Sequence, residues 1–324
     1  MAVIDQIKAP IKDEMEKFVP YFENVMRSKS RLLNFVIKYS LKTKGKQIRP
    51  MLVFLCSKVA GQFSDSTMVA AALIELLHTA TLIHDDVVDE SFYRRGFFSI
   101  FALWKAKTAV LTGDYFLARG LLLSLDTNQN EILRIVSQAV RDMSEGELEQ
   151  LEKADKLNID EESYFEIIRK KTGALISACC EAGAYSSGAA PDVVEKFKEF
   201  GMLIGIAFQI KDDLFDYQQT GIIGKPKYND IQERKLTLPV IYAVNNSKFL
   251  ERKSIYALFR KKSKSQADIR KIVDFVKSSG GVDFSVARMS ELKDKAVAML
   301  NDFPDSEAKK ALVLLADYVV SRDK

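Results

Sequence analysis

No proline occurs between Pro50 and Pro191, and the whole 324-residue sequence holds only 15 Gly and 7 Pro. Strands need turns every few residues, whereas a helix runs on until something breaks it. So long a stretch without hard breaks predicts an all-α protein. Connectors are expected at 61–66, 126–130, 154–160, 186–192, 245–252 and 278–283, with Pro191-Asp192 early in the first turn of a helix. No repeat of solenoid length and no low-complexity segment interrupts the pattern.

Composition narrows the class. With 47% hydrophobic and 28% charged residues, the chain can bury a sizeable core. A net charge of +4 gives no global case for nucleic acid. Cys56, Cys179 and Cys180 form an odd, unpatterned set in apolar surroundings, expected as reduced core thiols. The first residues lack the basic-then-apolar pattern of a signal peptide. The longest apolar segments carry Glu75, His78 and His84 in one case and Asp317 in the other, so no membrane span is expected. Together these predict a soluble, cytoplasmic protein, and 324 residues allow one large domain or two ordinary ones. Arg260–Lys264 is expected as solvated helix surface.

Two segments carry the chemistry: Asp85-Asp86-Val87-Val88-Asp89 and Asp212-Asp213-Leu214-Phe215-Asp216. Each is a DDxxD ending a long apolar helical pattern. Residues four apart share a helix face, so Asp85 meets Asp89 and Asp212 meets Asp216. Two like charges in that arrangement cost stability unless a cation lies between them. Hard cations such as Mg²⁺ take oxygen ligands and are held by a few carboxylates together with substrate phosphates. One DDxxD is weak evidence; two copies, each capping an apolar stripe, point to a deep greasy cavity with metals at its mouth. For any single stripe, ordinary core would be the default. The stretch 218–235 is interrupted by Gly221, Gly224 and Pro226 and crowded with Lys225, Lys227, Arg234 and Lys235. By composition alone it is a solvated connector, but directly after a carboxylate-bearing helix it is a candidate lid over an anion.

In this setting the sequence resembles the trans-polyprenyl diphosphate synthases. Asp85–Asp89 continues to Arg94-Arg95-Gly96, like the family's first aspartate-rich motif with its paired arginines. Residues 208–216 look like the second motif, and Gly45-Lys46-Gln47-Ile48-Arg49-Pro50 is similar to the family's GKxxRP segment. Gly113-Asp114-Tyr115, Glu145-Gly146-Glu147, Lys171-Thr172 and Lys235–Pro239 follow in the family's order, and Ala316-Asp317-Tyr318 with Arg322 resembles its C-terminal end. Lys44, Gln47, Tyr228 and Arg234 depart from the usual residues of their loops. The resemblance implies the isoprenoid synthase fold, with residues 1–324 as one polyprenyl synthetase domain, a single large helical bundle around a deep central cavity, working as a homodimer.

It also implies a two-substrate site. The allylic diphosphate would bind through Mg²⁺ held by the six aspartates Asp85, Asp86, Asp89, Asp212, Asp213 and Asp216, with Arg94, Lys171, Lys211 and Lys225 as cationic partners. Isopentenyl diphosphate would bind without metal through Lys46, Arg49, His78 and Arg95. Only the leaving diphosphate needs metal-strength neutralisation. Gln209 and Thr172 would stabilise the allylic cation by their dipoles, and the released diphosphate would take the proton. A bulky ring one turn below Asp85 would stop the growing tail. Ala80 and Thr81 are small, so a product of hexaprenyl to nonaprenyl length is expected, of the quinone side-chain class, with Leu77, Ile74 and Phe116 as floor residues. The rivals are a short-chain synthase, a terpene cyclase, which has no use for Lys46, Arg49, His78 and Arg95, and a non-catalytic synthase subunit, which would be expected to lack aspartates from one cluster.

Overall fold

A computed structural model describes residues 3–42, 45–94, 96–156, 160–217 and 228–322. The described residues are overwhelmingly helical, as the scarcity of Pro and Gly predicts. The chain divides into two compact units built from interleaved segments.

The first unit takes the chain up to Val140, with Ile176–Gly201 and Leu300–Leu315. It contains α1 (Val3–Lys8), α2 (Lys12–Val25), α3 (Arg31–Lys42), α4 (Ile48–Ala60), α5 (Asp65–Val88) and α6 (Ile100–Asp126). α5 starts where the Ser64 backbone N–H donates to Thr67 Oγ1 at 3.2 Å. Ala70, Ala71, Ala72, Leu73, Ile74, Leu76 and Leu77 are all buried, so this stretch of the helix is covered on nearly every side, as a core helix must be. By length and composition α5 could also cross a membrane, but 67% of its apolar window is buried within the protein. α5 packs against α4 and along α6. The α6 contact depends on Gly113, where a Cβ would lie 2.2 Å from His84 Nε2.

Between α5 and α6 the all-α expectation has one exception among the described residues. β1 (Tyr93–Arg94) pairs antiparallel with β2 (Phe97–Phe98), with Tyr93 opposite Phe98 and their ring centroids 4.8 Å apart. The turn passes through Gly96 at φ 81°. Aromatic cross-strand pairs and a glycine turn favour a hairpin over another helical turn.

The second unit takes Arg141–Leu175, Met202–Met299 and the chain from Ala316. Through it run the end of α7 (Asn130–Lys156), α8 (Glu161–Ile168), the start of α9 (Ala174–Ser186), the end of α10 (Pro191–Leu214), α11 (Asn229–Gln232), α12 (Leu238–Asn245), α13 (Phe249–Phe259), α14 (Gln266–Ser278), α15 (Gly281–Met299) and the end of α16 (Glu307–Ser321). Asp160 caps α8, its Oδ1 accepting from the Ser163 N–H at 2.8 Å. Its core joins Ile206, Ile210 and Leu214 of α10 to α12 and α14 through Leu238, Ile241, Ile269 and Ile272.

The helix breaks between α4 and α5, α6 and α7, α9 and α10, α12 and α13, and α14 and α15 fall where expected. The expected connector at 154–160 starts later, because α7 continues to Lys156. The basic run Arg260–Lys264 is not uniformly solvated. Lys264 is buried, and its Nζ donates to the carbonyls of Gln232 and Lys261 at 3.3 and 3.2 Å. All three cysteines are free and buried, and burial pushes the thiols of Cys179 and Cys180 up, which keeps them unreactive.

Candidate active site

In the first unit the aspartates close α5. Asp85 and Asp86 sit on its last turn, and Asp89 is its C-cap, with the Asp89 N–H donating to the Asp85 carbonyl at 2.8 Å. That bond keeps the two residues in helical register. Asp85 and Asp89 are exposed, whereas Asp86 is buried. Its Oδ1 accepts from Arg94 Nε at 2.8 Å and Nη2 at 2.7 Å. The hairpin presents Arg94 to this carboxylate, which gives the unexpected β turn a positional role.

Beside it lies a cavity of about 110 Å³ whose lining includes Tyr39, Gln47, Arg49, His78, Asp86 and Arg94. Arg49 stands at the start of α4, behind Gln47 in the left-handed region at φ 56°. Its Nε is buried and takes no hydrogen-bond partner among the described residues. A guanidinium buried with an unmatched donor is an anion site in waiting, since leaving it unsatisfied costs about 1–3 kcal/mol or more. Arg49 and His78 line this one cavity. It adds Arg94 to them, although Arg94 was expected at the other substrate. Lys46 is exposed on the loop before α4, and Arg95 lies outside the described residues. Tyr39 of α3 and Phe98 of β2 also line the cavity, and neither belongs to any of the motifs.

The expected floor residues Ile74, Leu77 and Phe116 are buried, as is Ala80 above them. Thr81 is partly buried, and its hydroxyl donates to the His78 carbonyl at 2.9 Å.

In the second unit the other cluster is less regular than helical spacing predicts. α10 stops at Leu214, and Phe215–Tyr217 tighten into a 3₁₀ turn, so Asp216 is not one α-helical turn beyond Asp212. Asp216 Oδ2 instead accepts from the Asp230 N–H at 2.8 Å. Asp212 Oδ1 is held by Arg322 Nη2 at 2.5 Å, and that guanidinium lies 3.8 Å from the centroid of the Phe208 ring. Lys211 is buried with its Nζ 5.4 Å from the centre of the Phe215 ring.

Asp213 is buried at the end of a hydrogen-bond chain. The Thr172 hydroxyl donates to Gln209 Oε1 at 2.5 Å, and Gln209 Nε2 donates to Asp213 Oδ1 at 2.8 Å. The Tyr164 hydroxyl donates to Asp213 Oδ2 at 2.6 Å. Burial, reinforced by the neighbouring Asp230 charge, raises the Asp213 carboxyl to about 8 despite these two donors. Burial and the same carboxylate also push the Tyr164 hydroxyl well above its usual value. Tyr164 carries no sequence signal, being 49 residues from its partner.

Lys171 and Thr172 lie in a π turn, Arg169–Gly173, between α8 and α9. Such one-turn widenings recur at functional sites, because they re-aim side chains within a helical run. Lys171 Nζ bonds Glu147 at 2.5 Å and Gln150 at 2.7 Å, while Lys170 bonds Glu149 at 2.7 Å. The close approach is made at Gly146, where a Cβ would meet Lys170 Cβ at 2.8 Å and the Lys171 backbone nitrogen at 3.0 Å. The Glu145-Gly146-Glu147 segment therefore positions the lysine turn. A second cavity of about 80 Å³ is lined here by Tyr164, Lys171, Gln209, Asp213, Asp230 and Lys235, among others. Most of the expected lid, residues 218–227 with Lys225, lies outside the described residues.

No three His, Cys, Asp or Glu side chains converge into a ready-made metal cage among the described residues. The donor set still suits a hard divalent cation. The exposed carboxylates of Asp85 and Asp89 offer oxygens alone, and a cation of this kind fills its remaining positions with water and substrate phosphate. Asp86 and Asp213, both buried, are the least available of the six.

Comparison with known proteins agrees with this chemistry. The chain matches the family model for polyprenyl synthetase over residues 30–276. It is 32% identical over 300 residues to the octaprenyl diphosphate synthase of Escherichia coli, covering 92% of this chain and 93% of that protein. A crystal structure of polyprenyl synthase from Caulobacter crescentus, complexed with calcium and isoprenyl diphosphate, superposes with a TM-score of 0.91 at 33% identity, covering 99% of this chain and 98% of that one. The geranylgeranyl pyrophosphate synthase of Bacteroides thetaiotaomicron superposes with a TM-score of 0.84 at 38% identity, covering 99% and 100%. Members of this group are prenyltransferases of the all-α isoprenoid synthase fold that generally use a divalent metal. The aspartate clusters, the cation-lined cavity and these matches agree that the chain belongs to the polyprenyl synthetase family.

Proposed function

We propose that the chain, acting as one polyprenyl synthetase domain, extends farnesyl or geranylgeranyl diphosphate with isopentenyl diphosphate to a long all-trans polyprenyl diphosphate destined for a quinone side chain. The observation that carries this is the buried, unmatched Nε of Arg49 in a cavity shared with His78 and Arg94. That cavity suits a diphosphate that stays attached to its carbon. Arg49, His78, Lys46 and Arg95 would hold the isopentenyl diphosphate there. A terpene cyclase would have no use for them.

Mg²⁺ is the proposed metal, held chiefly by Asp85, Asp89 and Asp212, and it would supply the charge neutralisation that lets the allylic diphosphate leave. The rest falls to side chains. Lys171, Lys211 and Lys225 would add fixed positive charge at the leaving group. Cleavage of the allylic C–O bond leaves a cation, and the isopentenyl double bond supplies the electron pair of the new C–C bond. Thr172 and Gln209, locked to each other and to Asp213, would turn oxygen lone pairs toward that positive charge without needing to reorganise. The attack leaves a tertiary cation on the isopentenyl unit, and a proton then leaves the neighbouring CH2 on its diphosphate side, forming the new double bond and going to the released diphosphate. The enzyme is proposed to act in the cytoplasm as a homodimer.

Small side chains at Ala80 and Thr81 support a long product. A second reading, a geranylgeranyl-length product, is favoured by the 38% identity to the Bacteroides thetaiotaomicron protein. Incubation with farnesyl diphosphate and labelled isopentenyl diphosphate, followed by chromatographic sizing, separates the two. A product of hexaprenyl length or more supports the first reading. One that stops at geranylgeranyl overturns it.

A further inference from the structure

We propose that the aromatic face formed by α3, the β1–β2 hairpin and the start of α6 docks onto an anionic lipid surface. The face stands out first by charge. Between Glu23 and Asp65 the sequence has nine basic residues and no acidic one, and between Glu90 and Asp114 it has four and none. Setting aside the basic residues assigned to substrate, Arg27, Lys29, Arg31, Lys38, Lys42, Lys105 and Lys107 are all exposed, whereas Lys58 is half-buried and pairs with Glu14.

Within this basic setting large rings are left in water. Phe35 is 65% exposed, Tyr93 61%, Phe92 58% and Phe97 51%, values far above those of a packed core. Phe35 and Tyr93 belong to one aromatic cluster, and Phe92 and Phe97 lie beside Tyr93 at the same hairpin. Phe35 and Tyr39 meet the Trp104 ring at 5.9 and 5.3 Å between centroids. The Tyr39 hydroxyl donates to the Phe98 carbonyl at 2.7 Å, and Phe98 stacks on Tyr93. The opposite side of α3 is anchored by buried Val36 and Ile37.

Half-exposed aromatic rings flanked by lysines are what a membrane–water interface takes up. The rings lie at headgroup depth, and the ammonium groups reach the phosphates. Charge also decides between occupants. A second copy docking through the same patch would set these cations against themselves, with no acidic residue in either stretch to answer them. An anionic lipid surface complements them. Phe98 lines the Arg49 cavity as well, so docking would bring the mouth of that cavity to the lipid. The inference stands on this surface and not on product length.

The test uses the full chain and vesicles of phosphatidylcholine with 30% phosphatidylglycerol, at low and high salt. Trp104 is the only tryptophan in the chain and reports contact directly. The wild type should co-sediment with these vesicles at 0.1 M salt, with a blue shift of Trp104 emission. It should be released at 0.5 M salt and should ignore pure phosphatidylcholine. Two variants, Phe35→Ser with Phe97→Ser and Lys38→Glu with Lys105→Glu, should each weaken binding at least tenfold, given roughly fivefold per cation near an anionic surface. Turnover of isopentenyl units should persist in both. Failure of the wild type to bind, or equal binding by either variant or to neutral vesicles, overturns the proposal. So does dissociation of an oligomer in the aromatic variant without any vesicle binding, which would assign the face to a second copy.

Discussion

Replacing Gly146 by Ala tests how the lysine turn is held. The new Cβ would stand 2.8 Å from Lys170 Cβ and 3.0 Å from the Lys171 backbone nitrogen, where ordinary carbon contacts lie near 3.5–4.0 Å. One neighbour is backbone and cannot rotate away, so α7 and the π turn must part by about half an ångström. Overpacking of this kind costs about 1–3 kcal/mol. Ala is the better helix former by about 1 kcal/mol, which offsets part of that cost. The net loss is about 0–2 kcal/mol, a fall in Tm of at most about 3 °C for a chain of this size. Turnover should suffer more than stability. If a 1 Å misplacement costs about a hundredfold, half that distance at Lys171 and Thr172 costs about tenfold in kcat. Thermal unfolding and steady-state kinetics on one preparation check both numbers. A variant with full kcat and a raised Tm would show that helix propensity dominates and that the close approach at Gly146 does not position the turn.

Tyr164→Phe removes one of two donors to the buried Asp213 and should cost about 1–3 kcal/mol, read by urea unfolding; an unchanged midpoint would sink that role. The raised Asp213 pKa, about 8 against an ordinary 3.8, means that the folded state holds the proton between those values. Its contribution is complete below about pH 4 and fades as pH rises toward 8, so metal-free protein should lose more Tm between pH 6 and 8.5 than Asp213→Asn does. Equal slopes would remove Asp213 from the account. Thr81→Phe places a ring one turn below Asp85, and the product should shorten toward geranylgeranyl; unaltered length would show that the tail does not pass Thr81.

What could be read from the sequence was local. Long helices follow from the missing prolines, and α5 and its aspartates follow from a pattern within one helix. Its register survives, because the Asp89 N–H still bonds the Asp85 carbonyl. Helical spacing failed at Asp216, where the chain tightens into a 3₁₀ turn just past Leu214. A one-residue change in winding is a tertiary compromise that periodicity does not record. Partners distant in the chain were equally hidden: Arg322 reaches Asp212 across 110 residues and Tyr164 reaches Asp213 across 49. The role of Gly146 was visible only as a motif. Its reason, the backbone of Lys171 pressed against it, needed the fold.

The most direct test of the central claim follows incorporation of labelled isopentenyl diphosphate into an extractable product, with Mg²⁺ and after chelation, in the wild type and in Asp85→Ala and Asp212→Ala. The account predicts a polyprenyl product that disappears on chelation and falls at least a hundredfold in each variant. Incorporation that persists without divalent metal, or that survives loss of either aspartate, would contradict it.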